Sequence, residues 1–237
     1  MNICVTGGAG FIGSHLVDRL IELGHDVLVI DNLSTGMRSF VHEDAQFIEM
    51  DVRDPKLLSV FEEFKPSIVF HEAAQTMVQS SMENPSYDCD VNLIGLINVL
   101  DACRKVNVEQ FLMPSSAAVY GDLAVLPLTE DLSGMPSSFY GLTKLTAEGY
   151  LRIYHEAFGL NTVCFRYANV YGPRQGDGGE GGVISIFNRL IVEGQPLTVF
   201  GDGEQTRDFI YVDDVVDANI KAMGNGQCTG TVSYTHL

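Results

Sequence analysis

The chain has 237 residues, 46% of them hydrophobic and 19% charged, and a formal net charge of −17. That length and apolar content suit one large domain or a domain with a smaller second region, and the modest charge fraction argues against disorder. An acidic surface repels phosphate backbones and argues against nucleic acid as a partner; no apolar run approaches the roughly 18 residues of a membrane span and no basic-then-apolar leader opens the chain, so a soluble, cytoplasmic protein without a membrane partner is expected.

Ile3-Cys4-Val5 predicts a short buried strand with glycines directly behind it. Ile12, Leu16, Leu20 and Leu23 then recur at helical spacing. A second strand is predicted at Val27–Ile30, and a third over Phe47-Ile48-Glu49-Met50, ending at Asp51. A helix over 55–64, a strand at Ile68-Val69-Phe70, a long helix over 87–105 and a strand at Phe111-Leu112-Met113 follow. A second long helix is predicted over 140–158 and a sixth strand at Thr162–Phe165. Short apolar strands alternating with amphipathic helices predict an α/β fold, a Rossmann-type doubly wound parallel sheet covered on both faces. Ligands of such sheets sit at the carboxyl ends of the strands. The glycine-rich run at 172–182 marks a border between a dinucleotide-binding domain over 1–172 and a smaller, incomplete substrate-binding region over 173–237. The cysteines (Cys4, Cys89, Cys103, Cys164 and Cys228) are scattered, odd in number and without metal-ligand spacing, so reduced and mostly buried thiols are expected, and no metal site.

Gly7, Gly10 and Gly13 lie between a predicted strand and a predicted helix. There they permit a tight turn, close approach of the backbone to a pyrophosphate and close helix packing, with the helix N-terminus facing the phosphates. Asp31 ends the second strand, where a carboxylate accepts hydrogen bonds from ribose hydroxyls and repels a 2′-phosphate; this favours NAD over NADP. A turn aspartate in Asp31-Asn32-Leu33-Ser34 is the plainer alternative. Asp51 and Val52 either bracket an adenine or cap a helix. The candidate cofactor contacts in this half are therefore Gly7, Gly10, Phe11, Ile12, Gly13, Asp31, Asn32, Asp51 and Val52.

Tyr140 and Lys144 share one face of the second long helix, one turn apart. Bringing a tyrosine from a pKa of about 10 to about 7 needs roughly 4 kcal/mol, which a lysine ammonium and a positive nicotinamide ring would supply in a dry cleft. Ser115 and Ser116 follow the fifth strand, and either could bond the tyrosine oxygen and a substrate oxygen or close a local turn.

Together these residues resemble the extended short-chain dehydrogenase/reductase superfamily and, within it, the UDP-glucose 4-epimerase branch of the NAD-dependent epimerase/dehydratase family. The resemblance runs from Met1 to about Met223. It rests on Thr6–Gly13, Asp31–Gly36, His71-Glu-Ala-Ala-Gln75, Val91-Asn92, Ser115–Gly121, Tyr140-Gly-Leu-Thr-Lys144, Arg166–Arg174 and Arg207–Asp214. It implies NAD as cofactor, Ser116 as the hydroxyl member, Tyr140 as the base and Lys144 as its partner. It adds Ala73, Gln75, Asn92 and Tyr167 to the cofactor contacts, together with Tyr140 and Lys144. Around a nucleotide sugar it places Ser116, Tyr140, Asn169, Val183, Thr198, Phe200 and Arg207, the last also suited by its fork to phosphate oxygens. Arg174 is ambiguous between structure and ligand.

Sister dehydratases carry an acidic pair after the hydroxyl residue, and decarboxylases usually a glutamate at the second position; here Ala117 and Ala118 stand there. The resemblance therefore implies an isomerase of galactose metabolism acting at C4 of UDP-glucose or UDP-galactose through a 4-keto intermediate. The alternatives are a UDP-N-acetylglucosamine 4-epimerase, a UDP-glucuronate decarboxylase or epimerase, and a catalytically silent NAD-binding regulator. Relatives pair the helices corresponding to 87–105 and 140–158, which here carry surplus apolar residues, so a homodimer is expected. Relatives also continue beyond Gly230, so 231–237 reads as foreign sequence on a chain shortened at its C-terminus, leaving apolar surface from Val183 to Met223 exposed.

Overall fold

The structure is a computed structural model and describes residues 1–123, 126–132, 134–176, 182–225 and 230–233. Its first strand, β1 (Asn2–Thr6), carries Ile3, Cys4 and Val5, all fully buried. Apolar residues on both faces require cover on both sides, which is the condition of a central parallel strand. The glycine loop leads into α1 (Phe11–Glu22), and β2 (Asp26–Asp31), β3 (Gln46–Glu49), α2 (Leu57–Phe64) and β4 (Ile68–His71) follow. Next come α3 (Val78–Glu83), α4 (Pro85–Cys89), a π-helical turn at Asp90–Gly95, α5 (Leu96–Val106) and β5 (Gln110–Ser116). After a 3₁₀ turn at Ala117–Tyr120 come α6 (Phe139–Phe158), β6 (Asn161–Tyr167), β7 (Asn169–Tyr171), α7 (Val183–Val192), β8 (Phe209–Tyr211), α8 (Val212–Ala222) and β9 (Gly230–Ser233).

The main sheet is parallel throughout, in the order β3-β2-β1-β4-β5-β6-β9, and β7 and β8 form a separate parallel pair. Strand alternation divides the core into two layers. Cys4, Leu28, Val69, Phe111 and Cys164 point to one face, under α2, α5 and α6. Ile3, Val29, Phe70, Leu112 and Phe165 point to the other, under α1 and α8. The switch in strand order falls between β1 and β4, and the cleft opens there.

The long helix expected over 87–105 is present and runs without a gap from Pro85 to Val106, α4 and α5 being joined through the π-helical segment. Pro85 opens α4, and the π turn at Asp90–Gly95 precedes α5. The border expected at 172 does not end the Rossmann layer. Val215 and Val216 of α8 join the core against α1, and β9 adds a strand beside β6, pairing Cys164 with Thr231 and Phe165 with Val232. Of the stretch read as foreign, 231–233 thus lies in the main sheet, and 234–237 lies outside the described residues. Between Val183 and Tyr211, α7 buries none of its residues, and Val192, Val199 and Phe200 are 88%, 57% and 82% exposed. Cys4, Cys103 and Cys164 are buried thiols and Cys89 is exposed, while Cys228 lies outside the described residues. No helix among the described residues is long and apolar enough to cross a membrane.

Candidate active site

A cleft of about 640 Å³ runs along the carboxyl ends of β1, β2, β4, β5 and β6. Its floor is the glycine loop. Gly7 takes φ +71°, and a Cβ there would come within 2.5 Å of the Ala73 nitrogen; a Cβ on Gly13 would come within 2.3 Å of the Gly7 carbonyl oxygen. Only glycine lets these three backbone segments meet. Helix α1 starts on Gly10 with no side-chain cap, so its first N–H groups face the cleft unshielded, an arrangement that receives a phosphate. The cradle that a Cβ would fill and the open helix terminus fit a dinucleotide.

Asp31 is both a turn residue and a free acceptor. Its Oδ1 accepts from Leu33 N–H at 2.8 Å and its Oδ2 from Ala9 N–H at 3.0 Å, which ties the end of β2 to the glycine loop. The carboxylate keeps unused lone pairs facing the cleft. Asp51 differs. Arg53 engages it through the backbone N–H, Nε and Nη2 at 2.9, 2.8 and 2.7 Å, and Asn32 donates to it at 2.8 Å. These four bonds fill the carboxylate's acceptor sites and hold its pKa well below the usual range, the Arg53 side chain being the main cause. Asp51 and Val52 line the cleft, but the Asp51 side chain is already spoken for by Arg53.

At the other end, α6 begins on Ser138, whose Oγ accepts from Gly141 N–H at 3.1 Å. A Cβ on Gly141 would lie 2.5 Å from the Ala118 carbonyl oxygen, so this glycine seats the helix against the 3₁₀ turn. Tyr140 is thereby set beside Ser116, whose hydroxyl favours its phenolate, and Lys144 lies 5.9 Å from the Tyr140 ring centre. Lys144 is buried and donates from Nζ to the Pro114 carbonyl at 2.9 Å. Burial raises the Tyr140 pKa, assisted by the Asp88 charge, with Ser116 as the opposing influence. Burial also lowers the pKa of Lys144. Lys144 by itself therefore does not turn Tyr140 into a base, because the low-dielectric site penalises both charges.

Ser115 and Ser116 separate cleanly. Ser115 Oγ donates to Glu148 Oε1 at 2.6 Å, whereas Ser116 Oγ stands by Tyr140 and accepts from Ala118 N–H at 3.1 Å.

Ala73, Gln75 and Tyr167 line the cleft. Asn92 does not line it but holds its wall: Oδ1 accepts from Gln75 N–H at 2.9 Å and Nδ2 donates to the Gln75 carbonyl at 3.0 Å. Of the residues expected around a sugar, Ser116, Tyr140 and Asn169 line the cleft. Val183, Thr198, Phe200 and Arg207 do not. Arg207 is exposed and bonds the adjacent Thr206 carbonyl at 2.7 Å. For the last three the cause is local: 195–208 forms no helix or strand and buries nothing, so no packing directs these side chains inward. Arg174 takes a structural place. It pairs with Asp18 of α1 at 2.7 Å and lies over the Phe40 ring, beside a bond from the His15 ring to the Pro173 carbonyl at 3.0 Å.

Motif reading passed over Asp88 and Glu72. Asp88 is fully buried and accepts from Gln75 Nε2 at 2.6 Å and Thr143 Oγ1 at 2.8 Å, joining the cofactor wall to the catalytic helix. Its place one helical turn before Asn92 was the available signal. Glu72 lines the cleft from the end of β4.

The comparisons with known proteins agree with this geometry. Residues 3–232 match the NAD dependent epimerase/dehydratase family. The chain is similar to a putative UDP-glucose 4-epimerase of Methanocaldococcus jannaschii, 46% identical over 93% of this chain and 73% of that one. It is similar in structure to a UDP-glucose 4-epimerase of Thermotoga maritima solved with UDP-glucose, at 44% identity and TM-score 0.92 over 94% of this chain and 74% of that one. A UDP-N-acetylglucosamine 4-epimerase of Methanobrevibacter ruminantium, solved with UDP-N-acetylmuramic acid, matches at 38% identity and TM-score 0.93 over 98% of this chain and 75% of that one. With its glycine cradle, Asp31 and the Ser116–Tyr140–Lys144 grouping, the chain belongs to the NAD dependent epimerase/dehydratase family, and NAD is its cofactor.

Proposed function

We propose that the protein epimerises a UDP-sugar at C4, interconverting UDP-glucose and UDP-galactose through a transient 4-keto sugar. The observation that carries this reading is the grouping of Ser116, Tyr140 and Lys144 on one wall of the cleft with alanines at 117 and 118, where elimination or decarboxylation would call for a carboxyl. Bound NAD supplies a reversible hydride acceptor. Tyr140 takes the proton of the C4 hydroxyl and returns it to the keto oxygen, while Ser116 holds that oxygen by a hydrogen bond. Lys144, anchored on the Pro114 carbonyl, holds its Nζ 5.9 Å from the Tyr140 ring centre. The names of the M. jannaschii and T. maritima relatives support glucose; the M. ruminantium neighbour makes the N-acetylated sugar the second reading. The test is incubation with UDP-glucose, UDP-N-acetylglucosamine and UDP-glucuronate, with products identified by NMR. UDP-galactose from UDP-glucose is expected. Product only from UDP-N-acetylglucosamine selects the second reading, and loss of CO₂ from UDP-glucuronate overturns both. Tyr140→Phe should cut turnover by roughly 10²–10⁴-fold with NAD retained.

The protein is further read as a homodimer. Ile94, Leu142, Ile153 and Phe158 are 52%, 49%, 52% and 50% exposed on the outer faces of the π turn and α6, beside a groove lined by Leu93, Ile94, Phe139 and Leu142. Like surfaces of this kind are self-complementary across a two-fold axis.

A further inference from the structure

Glu72 sits where β1 and β4 part. Its N–H donates to the Thr6 carbonyl at 2.9 Å, and a Cβ on Gly7 would approach its carbonyl carbon to 2.6 Å. The backbone of this residue is therefore part of the wall against which the glycine loop closes. Its side chain lines the cleft, and Oε1 is shut off from water with no hydrogen-bond partner among the described residues. An orphaned carboxyl oxygen in such a place is costly unless a ligand completes it. The adjacent His71 is not that partner, since its ring bonds Thr6 Oγ1 at 2.8 Å.

The charged and titratable groups around it come from several elements. The Lys144 charge on α6 acts on it through space, and Asp88 on α4 and Cys164 on β6 act on Lys144 in turn. His71 ends β4 just before it, and Asp31 on β2 and Tyr140 on α6 line the same cleft. A dinucleotide's pyrophosphate is drawn to the glycine loop and is anionic. An ionised carboxylate beside that loop opposes it, whereas a neutral carboxyl can donate a hydrogen bond to it or to a ribose oxygen.

We propose that Glu72 is a cofactor-binding carboxyl that works in its protonated form, so that loading the cleft with dinucleotide is coupled to one proton. Burial already pushes this carboxyl up to about 7, with Lys144 acting against the shift, so the coupling falls within the ordinary working range. The inference rests on NAD as cofactor and is independent of which sugar is turned over.

The test is calorimetric titration of the nucleotide-free protein with NAD at pH 6, 7, 8 and 9, in wild type and Glu72→Gln. The wild-type Kd should rise about tenfold between pH 6 and pH 8, as linkage requires for a single titrating group. Glu72→Gln, which keeps the shape and cannot ionise, should hold its pH 6 affinity across the range. At pH 8, titrations in buffers of different ionisation enthalpy should report close to one proton taken up per NAD by the wild type. Parallel pH profiles in the two proteins overturn the proposal. So does absence of proton uptake by the wild type, a result that needs no variant to fold. Failure of the UDP-sugar assay would leave these titrations unaffected and would count against the proposed function alone.

Discussion

Ser115 and Ser116 end β5 side by side, and the strand's alternation sends them to different tasks. Ser115 donates to Glu148, which also accepts from Arg166 Nε and Nη2 at 3.0 and 2.8 Å; Arg166 Nη1 bonds the Tyr120 hydroxyl at 3.0 Å. Both partners of this ion pair are nearly fully buried, at 7% and 8% side-chain exposure. Ser115→Ala should therefore leave kcat nearly unchanged and lower stability by about 1 kcal/mol, the usual worth of one hydrogen bond. Glu148→Ala should cost about 3–5 kcal/mol, because it strands a buried guanidinium. Ser116→Ala should lower kcat by about 10²-fold or more with little change in stability. Steady-state kinetics and urea melts of the three variants check this, and a Ser115→Ala enzyme as slow as Ser116→Ala would reverse the two roles.

At the scale of the element, the end of β4 sets two buried titratable groups next to each other with opposite shifts. Burial lowers the His71 pKa to about 3, with the Lys144 charge adding to it, and raises that of Glu72 to about 7. Between pH 4.5 and 6.5 unfolding therefore protonates His71 and deprotonates Glu72, and the two contributions cancel. Removing either group exposes the other. In Glu72→Gln the unfolded state binds the extra proton, so stability should fall as pH falls, by up to about 1.4 kcal/mol per pH unit. In His71→Gln the folded state binds it, so stability should rise as pH falls, within the same limit. Denaturant melts across that window read both slopes, and slopes of the same sign would show that the two groups do not titrate as assigned. The π turn belongs to this scale too. Asn92 lies within it and reaches across to both backbone groups of Gln75.

For the whole molecule, the proposed dimer is the feature open to direct measurement. Light scattering at micromolar concentration should return twice the 25.9 kDa mass of the chain. Leu142→Glu should return the single mass, since a charge in an apolar interface is left unpaired on burial. A wild-type monomer would remove the dimer without touching the site, because every residue assigned to the cleft comes from one chain.

The sequence by itself determined the alternation of strand and helix, the glycine loop, Asp31 and the Tyr140–Lys144 turn, because each rests on local spacing or on backbone conformations that few residues permit. It also carried the family, through motifs strung from Thr6 to Asp214. Only the tertiary structure showed Ser115 turned to Glu148 and the Asp51 carboxylate saturated by Arg53, and brought Asp88 to Gln75 and Thr143. It likewise carried the sheet past the border expected at 172, through α8 and β9. These outcomes turn on which groups meet after folding and on what burial does to their charges. Spacing along a chain encodes neither, since a carboxylate's partners and its dielectric surroundings are set by neighbours remote in sequence.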